Sequence, residues 1–348
     1  MIDPFAEWEI DAVHYPADAS PQERMRFLLG YAILAPSGHN TQPWLFRLVP
    51  NGVELIADRT RCLPVVDPYD RALVISCGAA LGHLRTAMRF FGEEPSITLL
   101  PDGDDSDLLA RVTFAGAREP SPSDRVLFQA ITRRRTTRRS YIAESLPAGM
   151  AATLLAGAAS EQCELALISD DQGKRAVAAL VAQGDRAQMG NPAFRRELAS
   201  WVHSRRAASR DGMSGAAFGM PDVLSAVGRL VIRTFDMGDR QAASDEAIAN
   251  GSPALLVLAT SGDEAGDWLR AGMALSSILL SVTAAGWTSA YLNQPVETDH
   301  LRPQLRAAAG LRGHPQLLLR VGRAEAIAPA VRRPVSAVLI DEPHQVTS

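Results

Sequence analysis

The chain has 348 residues, of which 47% are hydrophobic and 21% are charged, and its formal net charge is -4. This composition is typical of a globular protein and argues against extended disorder. Nucleic-acid-binding proteins usually carry a surplus of basic residues, so the slightly acidic balance argues against that class. Three cysteines without CxxC spacing indicate reduced thiols, and no signal peptide is visible, so we expect a cytoplasmic protein.

Capping signals and hydrophobic periodicity define the elements of the first third of the chain. Ser20, Pro21 and Glu23 predict a capping box with a proline at the first helical position, and this helix must end before Pro36. Further along we predict a polar loop at 35–43, a β-hairpin at 44–57, a helix at 71–91 and strands at 96–100 and 109–114.

A joint rich in Pro and Ser at 119–123 separates this part from the rest, so we expect two halves, 1–118 and 119–348, intertwined as one compact unit. In the second half we predict helices at 123–131, 147–158, 172–189, 192–203, 222–235, 266–285 and 301–308, and strands at 163–168, 253–260, 287–292 and 316–321. The charge-free stretch 271–296 has an apolar helical part of about 15 residues, shorter than the roughly 20 that span a membrane. It therefore predicts a buried helix followed by a strand.

The two halves share a weak internal repeat. An offset of 194 positions aligns residues 78–101 with 272–295 without a gap and gives five identities in 24 positions. That number alone is within chance. Each copy nevertheless contains a helix, a terminal Gly, a strand and a Pro in the same order, which predicts a duplicated architecture.

The loop at 35–44, with the sequence APSGHNTQPW, is the first candidate functional segment. Its Ser, Asn and Gln side chains and its backbone amides can form hydrogen bonds along the edge of a flat heterocycle. The alternative, which composition alone favours, is a loop whose side chains cap its own backbone.

The second candidate is the run 133–139, which has five arginines and two threonines in seven residues. Guanidinium groups form bidentate, charge-assisted contacts with phosphate, and threonine adds a directed donor. The alternatives are a solvated basic face and a nucleic-acid patch. In a chain of net negative charge, a local cluster favours a discrete anion. A further basic pair, Arg332 and Arg333, lies in the C-terminal tail, and by itself it is most simply explained as part of a solvated tail.

The sequence lacks the motifs of several other kinds of catalytic and binding site. Seven histidines are scattered without ligand spacing, which argues against a metal site. No GxGxxG opens a helix after a strand, and neither GxxxxGK[ST] nor GxSxG occurs. Residues 205–221 are mostly small, with charges at one end, and fit a lid over a site and an idle surface loop equally well.

Four segments together resemble the flavin-dependent nitroreductase superfamily. They are APSGHNTQPWLF, RRRTTRRSY followed by Leu146-Pro147, AGWTSAYLNQPVE, and VGRAEAIAPAVRRPVSAVL. In ordinary members the Arg-rich segment precedes the APS segment, within one protomer of an intertwined homodimer. Here the APS segment comes about 100 residues before the Arg-rich one. That order resembles the subgroup with two fused halves, typified by the mycobacterial Acg proteins.

The resemblance implies an α+β fold that is internally duplicated, with a mixed, largely antiparallel sheet surrounded by helices, as a pseudo-two-fold intramolecular dimer. It implies one FMN site per chain, between the halves, because residues 154–160 of the second half do not repeat the APS segment. The chain would be a monomer that acts as a pseudo-dimer, with further dimerisation open. NAD(P)H and a small aromatic or quinone acceptor are the implied partners, without nucleic acid, metal or membrane.

The resemblance also assigns residues to the cofactor. These are Arg134, Thr136 and Arg138 for the phosphate and ring, Arg332 and Arg333 for the phosphate from the tail, Pro36, Ser37 and Gly38 for the ring from the other half, Asn40 for holding their loop, and Asn293 and Gln294 near flavin N5. The implied activity is hydride transfer from NAD(P)H through FMN to a nitro or quinone acceptor, with no catalytic side chain. The alternative is a flavin storage protein with little or no turnover, in which residues 205–221 close over the ring.

Overall fold

The structure, a computed structural model, describes residues 3–214, 225–234 and 236–340. Its first part contains α1 (Pro21–Ala32), β1 (Trp44–Val49), β2 (Gly52–Ala57), α2 (Arg71–Phe90), β3 (Glu93–Leu99) and β4 (Leu108–Ala117). The capping box is confirmed, since the Ser20 hydroxyl accepts a hydrogen bond from the Glu23 amide while the Glu23 carboxylate accepts one from the Ser20 amide. The hairpin is also confirmed, with β1 and β2 antiparallel and Trp44 opposite Ala57.

The second part begins with α3 (Pro122–Ile131), α4 (Met150–Ala159), β5 (Cys163–Ile168), α5 (Asp171–Gly190), α6 (Pro192–Ser200), α7 (Ser225–Thr234) and α8 (Gly238–Asn250). It continues with β6 (Ala254–Thr260), α9 (Ala265–Ala284), β7 (Thr288–Tyr291), α10 (Arg302–Ala308), β8 (His314–Gly322) and β9 (Leu339–Ile340).

Most of these elements agree with the sequence prediction within a few residues, but α8 and β9 are not predicted. The buried positions of α8 are small residues and one Asp, so no apolar stripe marks it. β9 has only two residues. The ends of the predicted helix 222–235 lie outside the described residues.

The strands form two sheets with the same order. One has the order β3-β4-β2-β1-β9 and the other, starting from its β7 edge, β7-β8-β6-β5. All neighbouring pairs are antiparallel except β1 and β9. Strands β3, β4, β2 and β1 therefore correspond to β7, β8, β6 and β5. Together with α1 before β1 and α4 before β5, this correspondence confirms the duplicated α+β architecture.

The two central helices, α2 and α9, pack against each other in the core. Their first and last residues differ by 194, the offset that aligns the sequence repeat. A Cβ atom on Gly78 would overlap the Leu269 carbonyl, and one on Gly272 would overlap the Ile75 carbonyl. Only glycine allows the two backbones to approach this closely.

The tail of the chain returns to the first sheet. β9 pairs in parallel with β1, with Leu339 opposite Phe46. Residues of the second half thus complete the sheet of the first, while the division after residue 118 stays a prediction. In the described part of the chain, no helix has the length and apolarity that a membrane span requires.

Candidate functional site

The loop between α1 and β1 is held in a strained conformation. His39, Asn40 and Gln42 have φ values of 48°, 57° and 53°, in the left-handed region that is unfavourable for residues with a side chain. Ser37 Oγ accepts a hydrogen bond from the Gln42 amide at 2.9 Å, which closes the loop on itself. Strain of this kind persists where surrounding contacts hold the backbone in place, and it is frequent at binding sites.

The same loop contacts α2. The Gly38 amide donates to Ser76 Oγ at 3.4 Å, and Pro36 is buried beside the end of α1. The three residues expected to line the flavin ring, Pro36, Ser37 and Gly38, therefore lie together at the start of α2, and each is buried or half-buried.

Arg332, from the tail, supports this loop. Its guanidinium donates to Asn40 Oδ1 at 2.9 Å and to the carbonyls of Leu34 and Ala35 at 3.2 and 3.0 Å. Asn40 in turn donates to the Val331 carbonyl at 3.2 Å. The side chain of Arg332 is 1% exposed, and its Nε has no partner within the described ranges. The structure therefore brings Arg332 and Asn40 together, across almost 300 residues of sequence.

The arginine run approaches from the second half. It follows α3 and lies beside β7, where the Thr137 amide donates to the Ser289 carbonyl at 3.1 Å. Arg134 is 3% exposed and donates from Nη1 to Thr136 Oγ1 at 3.1 Å. Its Nε has no hydrogen-bond partner among the residues described. A buried arginine whose donors are incompletely used excludes the simple alternative of a solvated basic face.

Arg134 and Arg332 form a positively charged region without a counter-ion. Neither makes an ion pair with a carboxylate in the described parts of the chain. Burial lowers the pKa of Arg332 strongly, and Arg134 lowers it further. The pKa of the neighbouring His83, on α2, is lowered to about 3 by burial and by the same two arginines. Two buried like charges are unfavourable unless an anion lies between them.

Tyr291, at the end of β7, belongs to this region. Burial raises the pKa of its phenol to about 12 against the effect of Arg134 and Arg332, so it is neutral. Its hydroxyl has no partner among the residues that the structure describes. An unused hydroxyl donor beside two guanidinium groups adds to the set that a phosphate requires.

Arg138, in the arginine run, and His39, in the loop after α1, are close enough to interact electrostatically. Arg138 is exposed to solvent, yet the surrounding protein lowers the pKa of its guanidinium. Burial and Arg138 lower the pKa of His39 to about 4, so this imidazole is neutral at physiological pH. A side chain that water can reach, but that protein atoms desolvate, lies in a concave site.

Arg320, on β8, fixes the arginine run in place. It is fully buried, and its Nη2 donates to the carbonyls of Thr137 and Arg139 at 3.0 and 2.9 Å. Its guanidinium also lies over the ring of Tyr141, 4.0 Å from the centroid. The backbone that presents Arg138 is therefore anchored to the sheet of the second half.

The segment after β7 is anchored as well. Asn293 Oδ1 accepts a hydrogen bond from the Leu318 amide at 2.9 Å. Gln294 Nε2 donates to Asp185 at 3.0 Å and to Asp245 at 2.9 Å. Both aspartates are buried, and burial together with Asp245 raises the pKa of Asp185. The side chain of Gln294 thus holds two carboxyl groups, and any contact with flavin N5 would come from the backbone of this segment.

The structure does not bring Arg333 to the cluster. Its guanidinium donates to the Gln42 and Ala337 carbonyls at 3.1 and 2.7 Å and lies 3.5 Å from Asp58. Asp58 thus gives Arg333 a nearby carboxylate, and Arg332 has no such partner in the described parts of the chain. Arg333 therefore fastens the tail to the first half and lies apart from Arg134.

Sequence reasoning missed His39, Tyr291 and Arg320 as members of the site. His39 lies inside the APS segment, and Tyr291 lies inside AGWTSAYLNQPVE, but neither carries a recognisable signal alone. Arg320 does carry one, since it is a charged residue in the otherwise apolar strand QLLLRVG. Among the described residues no group of His, Cys, Asp and Glu is arranged to hold a metal ion.

Fold and site define an α+β protein with a duplicated core and a candidate site rich in buried arginine. Two proteins of Mycobacterium tuberculosis strain H37Rv that are named "Putative NAD(P)H nitroreductase" are similar to this chain. Rv3131 is 35% identical over 339 residues, 94% of this chain and 92% of its own, and acg is 28% identical over 314 residues, 88% and 92%. The chain belongs to the nitroreductase superfamily, in its Acg-like subgroup.

No protein-family model matches the chain. Among solved structures, the FMN and NADPH-dependent nitroreductase NfnB from sphigopyxis sp. strain HMH is similar over 62% of this chain and 98% of its own. It is 19% identical, and the TM-score is 0.41.

Proposed function

We propose that this protein is an FMN-dependent oxidoreductase of the nitroreductase type, which transfers hydride from NAD(P)H to a nitro compound or a quinone. The observation that carries the proposal is the burial of Arg134 and Arg332 without a carboxylate partner in the described parts of the chain. Such a pair requires an anion, and the phosphate of FMN satisfies it. The names of the mycobacterial relatives support the same reaction class.

The donors of the candidate site fit a flavin mononucleotide. Arg134, Arg332 and the Tyr291 hydroxyl have unused donors for a phosphate. Arg138, oriented by the Arg320 anchor of its backbone, supplies positive charge on the pyrimidine side of the ring, where it stabilises negative charge. The strained loop that contains Gly38 would contact the ring from the first half. FMN held by these residues would supply the hydride-transfer chemistry, while the protein orients the reactants and limits the access of water.

The first test is the visible spectrum of the purified full chain, with the flavin identified and counted after release by heat. We expect one FMN per chain. Steady-state oxidation of NADH and NADPH is then measured with menadione and with a nitrofuran as acceptors. Colourless protein that also fails to bind added FMN would refute the cofactor, and flavin-loaded protein without turnover would refute the reaction but not the cofactor.

A second candidate function, flavin storage, is favoured by the contacts of residues 210–213. The Gly212 carbonyl accepts a hydrogen bond from Asn40 Nδ2 at 3.0 Å, and the Arg210 carbonyl accepts one from Gln42 Nε2 at 2.9 Å. Arg61 also forms an ion pair with Asp211. This part of the predicted lid is therefore fastened to the loop of the candidate site. Residues 215–221 of that lid lie outside the described residues.

Storage and turnover predict different kinetics of reduction. If residues 210–213 cover the ring, dithionite and NADPH both reduce the bound flavin slowly. The variant Asn40→Ala removes the hydrogen bond to Gly212 and should accelerate reduction by dithionite under storage. Fast reduction of the unmodified protein, with rapid reoxidation by menadione, would eliminate storage.

A further inference from the structure

A second cavity lies on the opposite side of the central helix pair. Its volume is about 220 Å3. The side chains that matter to its chemistry are Arg85 and Arg89 on α2, Arg270 on α9, Ile97 on β3, and Glu161 and Gln162 directly after α4. None of these residues belongs to the candidate flavin site.

This cavity is the pseudo-two-fold counterpart of the candidate flavin site. The offset of 194 that superimposes α2 on α9 pairs Ser76 with Arg270. Ser76 accepts the hydrogen bond from Gly38 in the first site, and Arg270 lines the second cavity. Likewise β3 corresponds to β7, and the residues after α4 correspond to the loop after α1. Each wall of the second cavity therefore corresponds to a wall of the first site.

The chemistry of the two walls differs. Positions 85 and 89 correspond to Leu279 and Thr283 of α9, so the two guanidinium groups that α2 contributes to the second cavity have no counterpart on α9. With Arg270 in place of Ser76, three arginines face one buried carboxylate among the described lining residues, that of Glu161. The lining of the second cavity therefore contains more arginines than carboxylates, and none of these residues belongs to the segments assigned to the flavin.

The ion pairs leave part of this charge unneutralised. Arg85 forms an ion pair with Glu161, whose side chain is 8% exposed. Arg89 Nε is buried and has no partner in the described ranges, and both burial and the neighbouring Arg85 lower the pKa of this guanidinium. Arg270 lies 3.8 Å from Asp267, beyond hydrogen-bond distance. Arg89 and Arg270 thus have donors available across a cavity in which Glu161 fixes the third guanidinium.

We propose that this cavity binds a small oxyanion of the size of inorganic phosphate, with Arg89 and Arg270 as its ligands and Arg85 oriented by Glu161. The volume lies below the roughly 300 Å3 at which pockets for larger organic ligands begin, which favours a small anion. Guanidinium groups that line the same small cavity can bind a tetrahedral oxyanion through several charge-assisted hydrogen bonds. Binding here does not require FMN in the first site.

The test is a calorimetric titration of the full chain with inorganic phosphate at constant ionic strength, adjusted with sodium chloride. We expect saturable binding, and at least a tenfold loss of affinity in the double variant Arg89→Met and Arg270→Met. Methionine is a good helix former and keeps most of the side-chain volume. Arg306→Met, at an exposed position on α10, is the matched control and should bind phosphate as the unmodified protein does.

Two further variants locate the phosphate. Arg134→Met weakens phosphate bound in the candidate flavin site and should leave unchanged the affinity of the binding step that depends on Arg89 and Arg270. Glu161→Gln removes the competing carboxylate and should tighten binding about tenfold, with circular dichroism checking that both variants are folded. Loss of binding in Arg134→Met with retention in the double variant would overturn the proposal, as would the absence of saturable binding to the unmodified protein. A failure of FMN to bind leaves these outcomes unaffected.

Discussion

Replacing Arg134 by methionine separates the role of this residue in ligand binding from its role in folding. The side chain is 3% exposed, and its one described side-chain hydrogen bond is to Thr136 Oγ1 at 3.1 Å. Methionine has a similar length and no charge. We therefore expect Arg134→Met to weaken FMN binding and to leave the stability of the flavin-free protein nearly unchanged.

The structure sets the size of both effects. A hydrogen bond from a charged group contributes about 1.5–3 kcal/mol, so the loss of one to the phosphate should weaken FMN binding roughly 10- to 150-fold. In the flavin-free protein the substitution removes a hydrogen bond of about 1 kcal/mol, but it also removes a buried charge without a described counter-ion. These two terms oppose each other, so the free energy of unfolding should change by less than about 1 kcal/mol.

Both quantities can be measured on the same preparations. FMN affinity is obtained from the quenching of flavin fluorescence by flavin-free protein, and stability from urea unfolding. Arg139→Met is the control, because this side chain is 63% exposed and its partner Glu325 is 85% exposed. An exposed pair of this kind contributes little, so both quantities should stay as in the unmodified protein. Flavin affinity within a factor of three of the unmodified protein in Arg134→Met would refute the assignment of the phosphate.

Two other variants test the packing of the core and the pH dependence of stability. Gly272→Ala should destabilise the protein by about 1–3 kcal/mol or more in urea unfolding, because the new Cβ overlaps the Ile75 carbonyl. Gly266→Ala lies in the same helix, but its new Cβ atom would be 3.6 Å from the nearest atom, on Arg270. This substitution should be neutral or stabilising. Burial raises the pKa of Glu297 from 4.5 to about 7, so native protein loses up to about 3 kcal/mol of stability as pH rises from about 4.5 to 7. Glu297→Gln should remove that part of the pH dependence, and an unchanged slope of stability against pH would contradict the shift.

Local sequence signals predict the helices well for physical reasons. The capping box at Ser20 fixes the start of α1 within a few residues, because the two reciprocal hydrogen bonds depend only on nearby atoms. The repeat predicts that helices 71–91 and 266–285 correspond, and the structure shows α2 and α9 with the same length and the same offset of 194. The strand order and the pairing of β9 with β1 depend on contacts across about 290 residues, which no local pattern encodes.

In the candidate site, too, some features can be predicted from local sequence and others depend on long-range contacts. The arginine run predicts an anion, but the sequence cannot distinguish its buried Arg134 from the exposed Arg133. In the tail the two neighbouring arginines are equivalent by sequence, and only the fold gives Arg333 the carboxylate of Asp58. Arg332 receives no such partner in the described chain, so the excess of positive charge that defines the site follows from tertiary structure.

Fusion of two related halves explains how the candidate flavin site and a cavity of different charge can share one helix pair. In a homodimer, a substitution on the central helix changes both sites at once, so an arginine at the position of Ser76 would also face the loop at Gly38. In the fused chain the equivalent position is Arg270, and it varies without changing the first site. The close contact of Gly78 and Gly272 constrains both halves equally, whereas the walls of the two cavities are free to diverge. The asymmetry of charge between the cavities is therefore a consequence of placing both halves in a single polypeptide.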